Sequence, residues 1–335
     1  MRQEVGVSTA ARSGMIVRPY RSEDEQEVLR LLLTSLGPGP AGERSPAFFR
    51  WKHLANPFGP SFMLVAEAGG RIVGLRAFLR WRFELDGRKV RAVRAVDTAT
   101  HPDHQGRGIF RRLTLEALDV LRGEADLVFN TPNGRSLPGY LKMGWREVGR
   151  LPVAVRPRSA SAVVTMLRAR TPAEKWSLPS SAGEPAGDVV ADRSAITRLL
   201  ARAAAAGLRT RRTPEFLAWR YGFGPLCYRA VLAGRDAADG LALFRLRRRG
   251  SATEAAITDV LVPDGDPATA RRLCRRAVRE SGADYAIVAG RTRTVPGFVS
   301  VPRQGPTLVW RQVHPAATMP ALPRWSLTLG DVELF

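Results

Sequence analysis

HPDHQGRGIFRRL, His101 to Leu113, stands where an apolar alternation ends and a helical periodicity begins. Upstream, RAVRAVDTATHP (91–102) reads as a strand. Downstream, GIFRRLTLEALDVLRGE (108–124) carries its apolar residues at helical spacing. A strand-to-helix turn with Gly106 and Gly108 directs a run of backbone N–H groups at the helix N-terminus. That end carries partial positive charge and unpaired donors, so it suits a pyrophosphate, and glycine lets the backbone come close to the anion. A Gly-rich turn alone can equally be only a tight turn. The elements around it narrow the reading.

Working outward, MIVRPY (15–20) is a strand, and SEDEQEVLRLLLTSL (22–36) opens on Ser and early acids before helical spacing sets in. FMLVAEAGGRIVGLRAFL holds a polar turn between alternations and predicts a hairpin over about 61–68 and 71–84. DLVFNTP (126–132) is a strand, and GWREVGRLPVAVR (144–156) is expected to close the unit as a hairpin. The order β-α-β-β-β-α-β-α-β is α+β with a mixed sheet. It excludes a dinucleotide fold, which alternates strand and helix. A Walker loop is excluded because no Gly-Lys-Ser/Thr follows.

The pattern occurs twice. SPAFFRWKH (45–53) matches TPEFLAWRY (213–221), and each is followed by Phe-Gly-Pro. FMLVAEAGGRIVGLRAFL matches YRAVLAGRDAADGLALFR, HPD (101–103) matches VPD (262–264), and GEADLVFN (123–130) matches SGADYAIV (281–288). LPGYLKMGW (137–145) closes the first series and VPGFVSVPR (295–303) the second. Five matches in one order, near a constant offset, mark a tandem duplication. The expected division is 1–155, a linker at 156–188, and 189–335. In the linker, SAVVTMLRAR (161–170) suggests a short helix and SLPSSAGEPAGD (177–188) a flexible spacer.

Composition sets bounds. The 335 residues suffice for two domains, and 44% hydrophobic content allows real cores. No apolar run is long enough for a membrane span, and MRQEVGVSTAARSG lacks a signal peptide's apolar region; it is expected to be an unstructured leader. Two cysteines, Cys227 and Cys274, form no disulfide framework or metal spacing, so a reduced, cytoplasmic protein without a metal is expected. Net charge is +21, and only Lys52, Lys89, Lys142 and Lys175 are not Arg among 52 basic residues. This is either an Arg-rich solvated surface or attraction for an anionic partner. Basic residues are spread over both halves, without interleaved aromatics, zinc spacing or a helix-turn-helix. No nucleic acid is therefore expected as partner.

Two motifs carry a family resemblance. Gln105-Gly106-Arg107-Gly108-Ile109-Phe110 resembles the Q/R-x-x-G-x-G/A pyrophosphate loop of the GNAT superfamily, with Phe110 where Gly or Ala is usual. Asn133, Ser136 and Tyr140, followed by Gly144-Trp145, resemble that family's N-x-x-A-x-x-x-Y and G-F pattern. The resemblance covers about 15–155. It implies two tandem GNAT-like domains, each a mixed, mostly antiparallel sheet flanked by helices, the second degenerate. It implies acetyl-CoA or another acyl-CoA as co-substrate, held by Gln105 to Phe110, by backbone at Thr98, Ala99 and Thr100, and by Asn133 and Ser136. It implies Tyr140 as the acid that protonates the departing thiolate.

For the base, Asp97 is one candidate; the other reading is a half-buried carboxylate paired with an Arg. His53 reads as interface or surface, His101 as structural, and His104 as an exposed turn or, before the loop, a phosphate contact. The acceptor is a small-molecule or peptide amine, and an acidic acyl carrier protein is the alternative donor. In the second copy Phe298 stands at the Tyr140 position, Arg291 at that of Asn133, and acids where phosphate would sit. Trp51 and Trp219 recur at one repeat position, which suggests packing or a pseudo-symmetric interface. WSLTLGDVELF (325–335) is expected as a strand or a flap near the acceptor.

Overall fold

The computed structural model describes residues 14–169, 171–203, 206–290, 297–314 and 320–333. The expected leader and Arg291 lie outside them. The first copy runs β1 (Ile16–Pro19), α1 (Glu25–Leu36), α2 (Pro46–His53), β2 (Phe62–Ala68), β3 (Arg71–Leu85), β4 (Arg88–Thr100), α3 (Ile109–Leu121), β5 (Leu127–Asn130), α4 (Leu137–Lys142) and β6 (Arg146–Arg150). Then follow β7 (Val153–Pro157), α5 (Ala160–Arg168), β8 (Glu184–Pro185), α6 (Ala186–Ala191), α7 (Arg193–Arg202) and β9 (Arg209–Thr210). The chain ends with α8 (Pro214–Tyr221), β10 (Arg229–Leu232), β11 (Leu241–Arg249), β12 (Ala252–Leu261), α9 (Pro267–Ser281), β13 (Tyr285–Ala289), β14 (Val299–Ser300), β15 (Thr307–Gln312) and α10 (Leu329–Val332).

The fold is α+β with two mixed, mostly antiparallel sheets flanked by helices. The first sheet has the order β1-β2-β3-β4-β5-β15-β6, with β9 on β3; the second is β14-β7-β13-β12-β11-β10-β8. The copies thus exchange a strand. β15 enters the first sheet between β5 and β6, with Trp310 opposite Phe129 and Arg146, while β7 enters the second between β13 and β14.

The expected hairpin at 144–156 does not form. Its would-be turn, Leu151-Pro152, holds none of the Gly or Asn that a tight hairpin turn requires, and Pro152 fixes φ. The chain runs straight across, Leu151 N–H donating to Pro306 (3.0 Å) and the Pro152 carbonyl accepting from Gly290 (2.9 Å). The sheets therefore do not follow a division at 155 and 188. The stretch expected as linker supplies α5 and β8 to the fold.

The matched nonapeptides become α2 and α8 by one device. Ser45 and Thr213 each accept from the N–H three residues on (3.2 Å), and Pro46 and Pro214 sit in the first turn. These helices meet across a pseudo-two-fold axis. Trp51 Nε1 donates to the Trp219 carbonyl and Trp219 Nε1 to that of Trp51, both at 2.7 Å, with the indoles stacked at 5.4 Å. Around them lies one continuous core built from both copies, from Phe48, Trp81 and Phe129 to Phe216, Leu243 and Trp325. Separate cores under α3 and α9 complete each copy. Among the described residues no helix is long and apolar enough to cross a membrane.

Candidate active site

The N-termini of α3 and α9 differ at the point where the sequence turns from strand to helix. Gly108 precedes α3 at φ +75°, with no side chain capping the helix; Gly106 has the same φ. Both are backbone conformations that glycine adopts at little cost. Among the described residues no side chain caps the first N–H groups of α3. At α9, Asp266 caps instead: its carboxylate accepts from Ala268 (3.1 Å) and Thr269 (3.0 Å). The acid expected in place of phosphate in the second copy is the helix's own cap.

The floor of the site is a split between two strands. β4 and β5 pair in parallel only from Ala92 to Arg94, opposite Leu127 to Phe129. Beyond Arg94 they part, and Ala95, Val96, Asp97, Thr98 and Thr100 of β4 line a cleft of about 890 Å³. A bulge in β4 opposite Arg76, with Asp97 at φ +39°, sharpens the divergence. The base of the split is closed by α10. Buried Arg94 donates to the carbonyls of Asp331 and Val332 and to Thr131 Oγ1 (3.3 Å). Burial pushes this guanidinium down to about 9. The C-terminal segment is thus a short helix wedged at the cleft, rather than a strand, and Val332 reaches its wall.

Tyr140 lies on α4, which Asn133 starts by accepting from Arg135 N (3.1 Å), Ser136 N (3.0 Å) and Ser136 Oγ (3.1 Å). The Asn–Ser pair is therefore first a helix-starting turn. Tyr140 is 5% exposed, its ring edge-on to Phe110 (5.4 Å) and tilted to Trp145 (5.1 Å). Phe110 also covers Gly139, where an added Cβ would come within 3.1 Å of the ring. The aromatic in place of the usual small residue thus locks α3 against α4. Arg76 Nη1 donates to Tyr140 Oη at 2.9 Å and also to Thr98 Oγ1. Guanidinium has no acceptor, so Tyr140 accepts this bond and keeps its own proton to give elsewhere.

Of the residues expected at the site, Asp97, Thr98, Thr100, Gln105, Gly106, Gly108, Ile109, Phe110, Asn133, Ser136 and Tyr140 line the cleft. Ala99 does not: it is buried on the opposite face, in the core with α1. Arg107 is exposed outside the lining, and Gln105 Nε2 rests on the Thr100 carbonyl (3.4 Å). Sequence reasoning missed Lys52, Arg94, Arg111, Asn130 and Thr131, all on the lining. Arg111, in the first turn of the helix after the loop, was the one with a readable signal.

Asp97 lines the cleft, and its partners are a lysine and a histidine where an arginine was expected. Its side chain, 7% exposed, receives Lys52 Nζ at 2.7 Å and His53 Nε2 at 2.8 Å; no arginine pairs with it among the described residues. Burial pushes this carboxyl up, but Lys52 and His53 outweigh it and hold it well below the usual carboxylate range. His53, expected at the surface or interface, is fully buried. Burial pushes its ring down, so the neutral imidazole gives its Nε2 proton to Asp97 and accepts at Nδ1 from Ser61 Oγ (3.0 Å). The second copy repeats the brace. Tyr221, aligned with His53, donates to Asp259 of β12, which also receives Arg212 (2.6 Å). A carboxylate that ties strand to helix in both copies, including the one lacking the loop, is first a structural brace.

The acetyltransferase (GNAT) domain family matches residues 16–148. A GCN5-related N-acetyltransferase from Anabaena variabilis ATCC 29413 superposes with TM-score 0.62 at 15% identity, over 90% of this chain and 73% of that one. Another, from Kribbella flavida, gives 0.57 at 15% identity, over 96% and 81%. A conserved protein from Enterococcus faecalis V583, described as a probable N-acyltransferase, gives 0.59 at 11% identity, over 90% and 73%. At such identities the likeness is one of fold, and it spans both copies. No curated protein matches the sequence. Residues 16–148, with the uncapped α3 turn and the split sheet, match a GNAT acetyltransferase domain, and the chain as a whole shares the fold of the GCN5-related N-acetyltransferases it superposes on.

Proposed function

We propose that the chain is an acyl-CoA-dependent N-acyltransferase, with acetyl-CoA as donor, that acylates a primary amine of a small molecule by direct attack. One observation carries this: the Tyr140 phenol stands at the cleft wall with its proton uncommitted among the described residues, in the copy whose α3 turn is uncapped. The first-turn N–H groups, beside Arg111, suit the donor's pyrophosphate. The β4 edge at Thr98 and Thr100, from which β5 has parted, suits its pantetheine amides and would offer an N–H to the thioester oxygen. The amine nitrogen attacks the carbonyl carbon, and negative charge gathers on that oxygen. When the C–S bond breaks, the Tyr140 O–H gives its proton to sulfur and thiol leaves. The ammonium proton passes to cleft water and returns to the phenolate, which leaves Asp97 free to serve as a brace.

Phe110 is accounted for by packing on Gly139, so it no longer favours a carrier-protein donor. A helix end suited to pyrophosphate favours CoA. The test is thiol release from acetyl-CoA with a panel of amino sugars, polyamines and amino-acid amides, repeated with Tyr140→Phe. The ring's packing survives this change. Turnover should drop ~10²–10⁴-fold with donor affinity kept. Turnover within about twofold of wild type, with chemistry rate-limiting, removes Tyr140 from the role.

A further inference from the structure

Arg76 is an oddity on physical grounds. Its residue exposure is 0%, yet no carboxylate pairs with it among the described residues, and Nε and Nη2 have no hydrogen-bond partner there. A guanidinium keeps its charge, and an uncompensated buried cation is costly. Its surroundings are the rings of Phe78 (4.5 Å), Tyr140 (5.4 Å) and Phe110 (5.6 Å), whose faces soften that cost. Its strong contacts are Thr98 and the Tyr140 oxygen, both of which line the cleft.

The second copy supplies an internal control. In the matched hairpin segments Arg76 aligns with Ala242, and Phe78 with Phe244; Ala242 and Phe244 both face the α9 core. Tyr140 aligns with Phe298, which packs against that same core. The copy that lost the phenol also lost the cation beside it.

We propose that Arg76 is a positioning residue for Tyr140: it fixes the phenol toward the cleft and stabilises the phenolate formed when that proton moves to the leaving sulfur. This rests on the transferase reading above. In the step, the O–H bond breaks, S–H forms, and the electron pair stays on Tyr140 Oη. There the Nη1–H bond becomes a charge-assisted one, and the lone cation gains its counter-charge only then. The cost borne in the resting protein is repaid in the transition state.

The test is a double-mutant cycle on kcat for acetyl-CoA turnover, with Arg76→Met, Tyr140→Phe and both, plus Arg76→Lys. With Tyr140 present, Arg76→Met should lower kcat about 10–100-fold, the worth of one charge-assisted hydrogen bond, with KM for acetyl-CoA within about twofold. In Tyr140→Phe the same change should cost less than about threefold, and Arg76→Lys should recover part of the loss. Thermal unfolding gives a readout without turnover: Met for a lone buried cation should leave the midpoint unchanged or raise it. Equal losses in both backgrounds, or a lowered midpoint with raised KM, would show a merely structural Arg76 and overturn the proposal. A wild type that turns over no acyl-CoA would instead bring down the transferase reading, and this inference with it.

Discussion

Asp97→Asn separates a base from a brace. The native carboxylate is 7% exposed and meets Lys52 and His53, themselves 2% and 1% exposed at the side chain. Removing its charge takes the Asp97 carboxylate away from the buried Lys52 ammonium. Breaking such a pair costs about 3–5 kcal/mol. With an m value of about 3 kcal/mol per M, the urea midpoint should fall by ~1–2 M. The pH dependence carries a sign. The folded carboxyl lies below its unfolded value of about 3.9, so its stabilisation is complete above that pH and fades as pH drops below it. The gap between wild type and Asp97→Asn should thus be full at pH 7 and narrow below about pH 4. Turnover per folded molecule, measured under conditions where the variant is folded, should fall less than about tenfold. A midpoint within ~0.3 M of wild type, together with turnover lost by ~10²-fold or more, would refute the brace and restore Asp97 as base.

Two further outcomes follow from the exchanged strand and the degenerate copy. Residues 14–151 alone lack β15, so β5 and β6 lose the strand between them and the shared core lies open; the fragment should aggregate, and a monodisperse, active fragment in light scattering would contradict the exchange. Phe298→Tyr should add no activity to Tyr140→Phe, because Ala242 stands where Arg76 would and Asp266 closes the helix end; recovered thiol release would refute that reading.

The duplication and the loop were legible because they rest on local chemistry. Ser-Pro and Thr-Pro caps, Gly at positive φ, and the Asn133 turn all act within a few residues of themselves. The strand exchange was not legible. Alternating patterns in 144–156 and 305–312 fix which face is buried but not which sheet is joined. Arg76 was hidden for a related reason: in GLRAFL an arginine within an apolar strand reads as an exposed edge, and only the β4 bulge and α4 show that it points at a phenol. His53 read as interface or surface and Lys52 carried no signal, because only the fold brings Asp97 of β4 against them. The wedge at α10 depends on Arg94, more than two hundred residues away in the chain, and no local pattern encodes it.

The central claim is that one copy binds the donor and the other has closed its site with its own carboxylate. Calorimetric titration with CoA tests it most directly. The account predicts one site per chain in the wild type and none in Gly108→Glu, where a carboxylate and a strained backbone replace the open α3 turn. Two equivalent sites, or one site indifferent to Gly108→Glu, would contradict it.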